Sequence, residues 1–193
     1  CSGTLKAQVE DKLCSHIEDT AKDTRLLIIS GERRQESIGR SKYNEMEIHR
    51  TNATARAHRL VHQWRSVIDW PETQIWEIIK RWRIAPHPCY TAGWNRCSCA
   101  MCIFSLPRHW AGIRELFPDW VGAVEEDERI LGFTLDNKMT LAEYIGDAVS
   151  CVCHDDPKAL FQLTSGEFSL ADVEQADWKM PAGAFRGSEG GPC

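Results

Sequence analysis

The chain has 193 residues, 42% of them hydrophobic and eight of them tryptophan, which is enough apolar surface for one packed domain or one and a half. A formal net charge of −5 excludes a bulk basic field for nucleic acid, and no apolar run is long enough to span a bilayer. Nine cysteines, an odd count without a recognisable secretory signal, favour reduced or metal-bound thiols in the cytoplasm over a disulfide framework.

Leu5, Val9, Leu13 and Ile17 recur every four residues and predict an amphipathic helix over roughly residues 4–18. The apolar run Thr24 to Ser30, closed by Gly31, predicts a buried strand of a parallel sheet. A charged loop follows to Lys42. Leu60 to Trp64 with Val67 and Ile68 predicts a second extended region. Asp69 to Pro71 marks a helix start, since proline early in a helix gives up an N–H that has no partner there. Ile75, Ile78, Ile79 and Trp82 predict its core-facing stripe. Pro86-His87-Pro88 forbids further helix and opens a loop. Beyond it, Trp110 to Leu116 and Trp120 to Ile130 read as helices divided near Pro118. Thr140 to Ala148 reads as another, with Thr140 and Glu143 spaced as a capping box. Pro181 to Cys193 reads as loop. Strand, loop and helix alternate in the first half, so the expected class is α/β with a parallel sheet flanked by helices.

Two segments carry chemistry. The first is Gly31-Glu32-Arg33-Arg34-Gln35-Glu36-Ser37-Ile38-Gly39-Arg40, directly after the first strand. Guanidinium forks grip phosphate or sulfate oxygens in pairs, Ser37 adds a hydroxyl, and Glu36 is placed to orient an arginine. The same composition also suits a solvated charged loop. The second runs from Cys89 to Cys102 and holds Cys89, Cys97, Cys99 and Cys102. Core cysteines are usually scattered, so this density points to zinc or an iron–sulfur cluster. Spacing alone leaves those two open, and reduced thiols with them. Cys151-Val152-Cys153-His154 offers too few donors for a site of its own. His58 and His62 read as structural, and Trp64, Trp70, Trp76 and Trp82 as packing.

The arginine loop resembles the sulfonucleotide-binding loop of phosphoadenosine phosphosulfate (PAPS) reductases and their relatives. Three further segments resemble that family in order: Cys1-Ser-Gly-Thr-Leu5-Lys6, then Trp64 to Trp70 with the following helix, His87-Pro88 and Gly93-Trp94, then Arg96 to Phe104. The last is similar to the Cys-x-x-Cys of cluster-bearing sulfurtransferases and reductases. The resemblance covers about residues 1–105 and implies an adenine nucleotide alpha-hydrolase-like fold. Residues 106–193 then form a helical extension with a Gly/Pro-rich tail.

The resemblance implies an enzyme acting on ATP or a sulfonucleotide, in sulfur transfer or sulfonucleotide reduction, with Gly31, Arg33, Arg34, Ser37 and Arg40 on the nucleotide. It also implies a four-iron (4Fe–4S) cluster on Cys1, Cys99, Cys102 and either Cys89 or Cys97, Cys89 being preferred, with zinc as the alternative. A protein partner would deliver sulfur or electrons. Two departures stand. The family's Ser-Gly-Gly-x-Asp-Ser phosphate loop is absent, so the domain is expected to be incomplete at its N-terminus. The family's Glu-Cys-Gly-Ile/Leu-His tail has no counterpart in Ser188 to Cys193, so no catalytic residue is assigned. The rival expectation is a non-catalytic zinc- or cluster-stabilised module of a larger complex.

Overall fold

The computed structural model describes residues 3–16 and 25–186. They fall into two compact units, one ending at Pro71 and the other beginning at Glu72.

The first unit opens with a π-helical turn, Gly3–Ala7, running into α1, Gln8–His16. Three strands follow, β1 (Arg25–Ile29), β2 (Met46–Ile48) and β3 (Leu60–Trp64), with the short helix α2 (Thr54–Ala57) before β3. The sheet order is β1-β3-β2. β1 pairs parallel to β3, in the register Leu27 to His62 and Ile29 to Trp64. β2 pairs antiparallel to β3, Met46 facing Trp64 and Ile48 facing His62. The sheet is therefore mixed, which corrects the all-parallel expectation. Residues 49–59, including α2, connect β2 to β3 and bring the chain back antiparallel. Three residues behind a charged loop gave too short a pattern to announce β2.

Burial also corrects the expected buried strand. Exposure alternates along β1, and Leu27, Ile29, Met46 and Ile48 lie on one apolar face, each more than half exposed. On the other face Val61 is fully buried and Gln63 nearly so. The helix at 4–18 forms as expected over its described residues, but Leu5, Val9 and Leu13 stay exposed. Its polar side is the one held: Arg50 donates to Asp11 Oδ2 (3.0 Å), Glu10 Oε2 (3.2 Å) and the Ala7 carbonyl (3.2 Å). Val67 and Ile68 form a turn rather than strand, closed by Ile68 N–H on the Arg65 carbonyl at 3.1 Å.

The second unit is helical: α3 (Glu72–Arg81), α4 (Pro88–Thr91), α5 (Pro107–Leu116), α6 (Pro118–Leu131), α7 (Leu141–Ile145) and α8 (Pro157–Ser165). α3 starts one residue after Pro71. It buries Trp76, while Ile75, Ile78 and Ile79 are half-buried and Trp82, past the helix end, is exposed. Proline stands at the first turn of α4, α5, α6 and α8, where no N–H is missed. The capping box on α7 forms as expected, Thr140 Oγ1 accepting from Glu143 N–H and Glu143 Oε2 accepting from Thr140 N–H. Trp110, Val121, Leu141 and Ile145 are almost wholly buried and make the core, which Cys89, Trp94 and Cys151 join.

Candidate functional site

In the first unit the arginine loop leaves β1 through Ser30, whose N–H bonds the Trp64 carbonyl at 3.0 Å. Two 3-10 turns, Arg34–Glu36 and Arg40–Lys42, then fold the loop on itself. Glu36 bridges two arginines. Arg33 Nε lies 3.3 Å from its Oε1, and Arg40 Nη1 pairs with its Oε2. Arg33 Nη1 also donates to the Trp70 carbonyl at 3.3 Å. Arg34 pairs with Asp69 and donates from Nη2 to the Tyr43 carbonyl at 2.9 Å. Ser37 Oγ accepts the Arg40 N–H at 3.2 Å. Gly31 has nothing within 4 Å of where a Cβ would stand, so its backbone is open to approach.

Arg33, Arg34, Ser37 and Arg40 are thus gathered in one loop, with the guanidiniums answered by carboxylates. Glu36 orients arginines as the sequence suggested. The sequence pattern marks Asp69 only as a helix start, and its part in the loop depends on a fold contact. An open cleft of about 240 Å³ lies beside the loop, lined by Arg34, Gln35, Ile68, Asp69, Trp70 and Pro71. Its size suits a phosphate or sulfate group or a single ring more than a whole nucleotide, since ligand clefts usually run to about 300–1,000 Å³.

The loop is anchored by a network the sequence did not reveal. Arg65, only 5% exposed, closes β3. Its Nε donates to Glu32 Oε2 (2.7 Å), its Nη2 to Glu47 Oε1 (2.7 Å) and its Nη1 to the Asn44 carbonyl (2.8 Å). The guanidinium also sits 4.6 Å from the centre of the Tyr43 ring. One buried cation therefore ties the start of the loop to β2 beyond its end. Burial opposes that charge while the two glutamates sustain it.

In the second unit His87 caps α4, its Nδ1 accepting the Cys89 N–H at 3.2 Å. The cysteine loop therefore begins with a helical turn, which buries Cys89. The Tyr90 hydroxyl accepts the Cys97 N–H at 3.2 Å, and the Tyr90 ring meets Trp76 edge-on at 5.4 Å. Ligand atoms of His87, Cys89 and Cys97 lie within 4.8 Å of one another, the one such group of three or more among the described residues. This group could hold a metal ion. Burial pushes the Cys89 thiol far up from its ordinary pKa, and neighbouring Cys97 adds to the shift.

Cys102 is buried and accepts from Arg96 Nη2 at 3.5 Å, while Cys99 is exposed. Cys1 lies outside the described residues, as do Cys193 and the tail from residue 187. A four-iron cluster on Cys1, Cys89, Cys99 and Cys102 therefore finds no support in the described geometry. Cys89 gathers with His87 and Cys97, the latter being the alternative fourth thiol, and not with Cys99 and Cys102. His87 was missed as a donor. Its only signal was its place in Pro86-His87-Pro88, two residues before Cys89.

Gly93-Trp94 turns out to have a structural reason. Gly93 has φ of +106°, and a Cβ there would stand 2.0 Å from the Cys151 carbonyl oxygen. Cys153 N–H bonds the Ala92 carbonyl at 3.0 Å alongside it. Cys151 thereby lines the core, its thiol pushed up to about 11 by burial, and His154 turns to Glu115 at 2.7 Å.

A mixed α/β unit with an arginine-rich strand-end loop, followed by a thiol-rich loop, defines the class. The phosphoadenosine phosphosulfate reductase domain model matches residues 8–105, about half of the chain, and the chain belongs to that family. At the level of the family, the match supports a sulfonucleotide-related role. The chain is also similar to an uncharacterized 37.8 kDa protein in the gpa 5′ region of Escherichia phage 186, at 28% identity over 132 residues. That match takes in 68% of this chain and 37% of the phage protein. No solved structure matches. Among the described residues no helix is long and apolar enough to cross a membrane.

Proposed function

We propose that the chain is the arginine-loop portion of an enzyme that binds ATP or a sulfonucleotide, in sulfur transfer or sulfonucleotide reduction. The observation that carries this is the gathering of Arg33, Arg34, Ser37 and Arg40 in one folded loop at the end of β1. Phosphate or sulfate would take the place that Glu36 now holds against Arg33 and Arg40. An anion with three acceptor oxygens satisfies two forks at once, which one carboxylate does less completely. Arg34, held by the Tyr43 carbonyl, keeps its fork at the cleft. Ser37 Oγ and the open backbone at Gly31 supply further polar contact. The adenine nucleotide alpha-hydrolase-like fold, a partner that supplies sulfur or electrons, and a cytoplasmic setting belong to the same proposal.

Calorimetric titration of the longest natural form containing this chain, with ATP and with a sulfonucleotide, tests it. Arg33→Ala should weaken binding of the preferred ligand about 10- to 100-fold, the worth of one charge-assisted pair at ~1.5–3 kcal/mol. Glu36→Gln should leave the arginines uncompensated and strengthen binding. Unchanged affinity in both variants would remove the arginine loop from nucleotide recognition.

A further inference from the structure

The thiol-rich loop carries an inference separate from the arginine loop. Its donors are an imidazole and two thiols whose ligand atoms already lie within 4.8 Å of one another. In a tetrahedral zinc site with Zn–S near 2.3 Å, donors stand about 3.8 Å apart, so rotation of the side chains closes the gap. A cubane cluster spreads its four thiolates over four irons and asks for a wider arrangement with a fourth sulfur. Thiolates select zinc, copper(I) or iron–sulfur clusters, imidazole selects zinc, copper, nickel or iron, and zinc is the common choice for a single ion.

The backbone is built to hold these donors. Pro88 and the helical turn of α4 fix Cys89 in the core, two residues from His87, and zinc would take the imidazole lone pair that Nδ1 otherwise offers to the Cys89 N–H. The Tyr90 hydroxyl, braced by Trp76, holds the Cys97 amide across the loop. His87 and Cys97 are exposed while Cys89 is buried, so an ion here would be gripped from the protein side and would face outward on the other.

We propose that His87, Cys89 and Cys97 form a mononuclear zinc site whose fourth position is open to a small exogenous thiolate. The thiolate as fourth ligand rests on the sulfur-chemistry reading above; the ion and its three protein ligands do not. Three protein donors with one open position is the arrangement of catalytic rather than structural zinc. Cys99 and Cys102 are not ligands in this assignment.

Metal analysis tests it on protein expressed with both iron and zinc available and purified anaerobically without added nucleotide. One zinc per chain is expected, and iron with acid-labile sulfide in its place would overturn the site. His87→Ala and Cys97→Ser alter exposed positions, and circular dichroism confirms that they fold. Each should lower zinc content at least tenfold at a fixed chelator concentration. Cys99→Ser and Cys102→Ser should keep one zinc. Full zinc in the first pair, or loss in the second, refutes the ligand set.

In the cobalt(II)-substituted protein, the thiolate-to-cobalt charge-transfer band should fall by about half in Cys97→Ser. It should rise by about half when 2-mercaptoethanol is added to the unmutated protein, as two sulfur ligands become three. No rise would mean that the fourth position is closed. Arg33→Ala should leave the metal content unchanged, so failure of nucleotide binding and failure of the zinc site are read separately.

Discussion

Replacing Arg65 by methionine is expected to loosen the first unit by about 2–3 kcal/mol. This guanidinium donates three hydrogen bonds, two of them to carboxylates at 2.7 Å. Removing one partner of a buried ion pair typically costs about 3–5 kcal/mol, because the remaining charge is stranded. Here the side chains of Glu32 and Glu47 are 30% and 38% exposed, so water recovers part of that loss and the lower value applies. Methionine keeps most of the apolar stem, which isolates the polar contribution. Arg65→Lys retains the charge but has no fork to span two glutamates and the Asn44 carbonyl, so it should lose about 1–2 kcal/mol. Urea unfolding followed by tryptophan fluorescence measures both, with m unchanged. A Glu32→Gln and Arg65→Met double-mutant cycle should give a coupling of about 1 kcal/mol or more. A loss below about 0.5 kcal/mol in Arg65→Met would refute the idea that this network fixes the arginine loop.

Gly93→Ala places a Cβ 2.0 Å from the Cys151 carbonyl at a positive φ, and should cost about 3 kcal/mol or more in thermal unfolding. A loss under about 1 kcal/mol would show that the two segments separate easily. Thr140→Ala removes the cap of α7 and should cost about 1 kcal/mol, read as a lower urea midpoint. Buried His109 has its pKa lowered from 6.5 to about 4, first by burial and then by the charges of Arg108 and Arg96. Its folded pKa lies below its unfolded one, so the unfolded chain takes up the proton first. Stability should therefore fall by ~3 kcal/mol as pH drops from 6.5 to 4 and level off below. His109→Phe should flatten that part of the pH profile, and an unchanged profile would assign the slope to other groups.

The sequence by itself determined what is local. Helix starts at proline, the capping box at Thr140 and Glu143, the strand before Gly31 and the arginine loop behind it all depend on neighbours a few residues apart. Its resemblance to the PAPS reductase family rests on such segments too, and the family match agrees. Tertiary structure decided whatever depends on residues far apart in the chain. A period of four set an apolar stripe at Leu5, Val9 and Leu13 along the π-helical turn and α1, yet Arg50 holds the opposite, polar side. Strand pattern says nothing of the direction in which a chain returns, so the antiparallel place of β2 came only with the fold. Cysteine spacing left several donor sets open. The turn at Pro88 and the Tyr90 hydroxyl, by fixing backbone positions, gathered His87, Cys89 and Cys97 out of them.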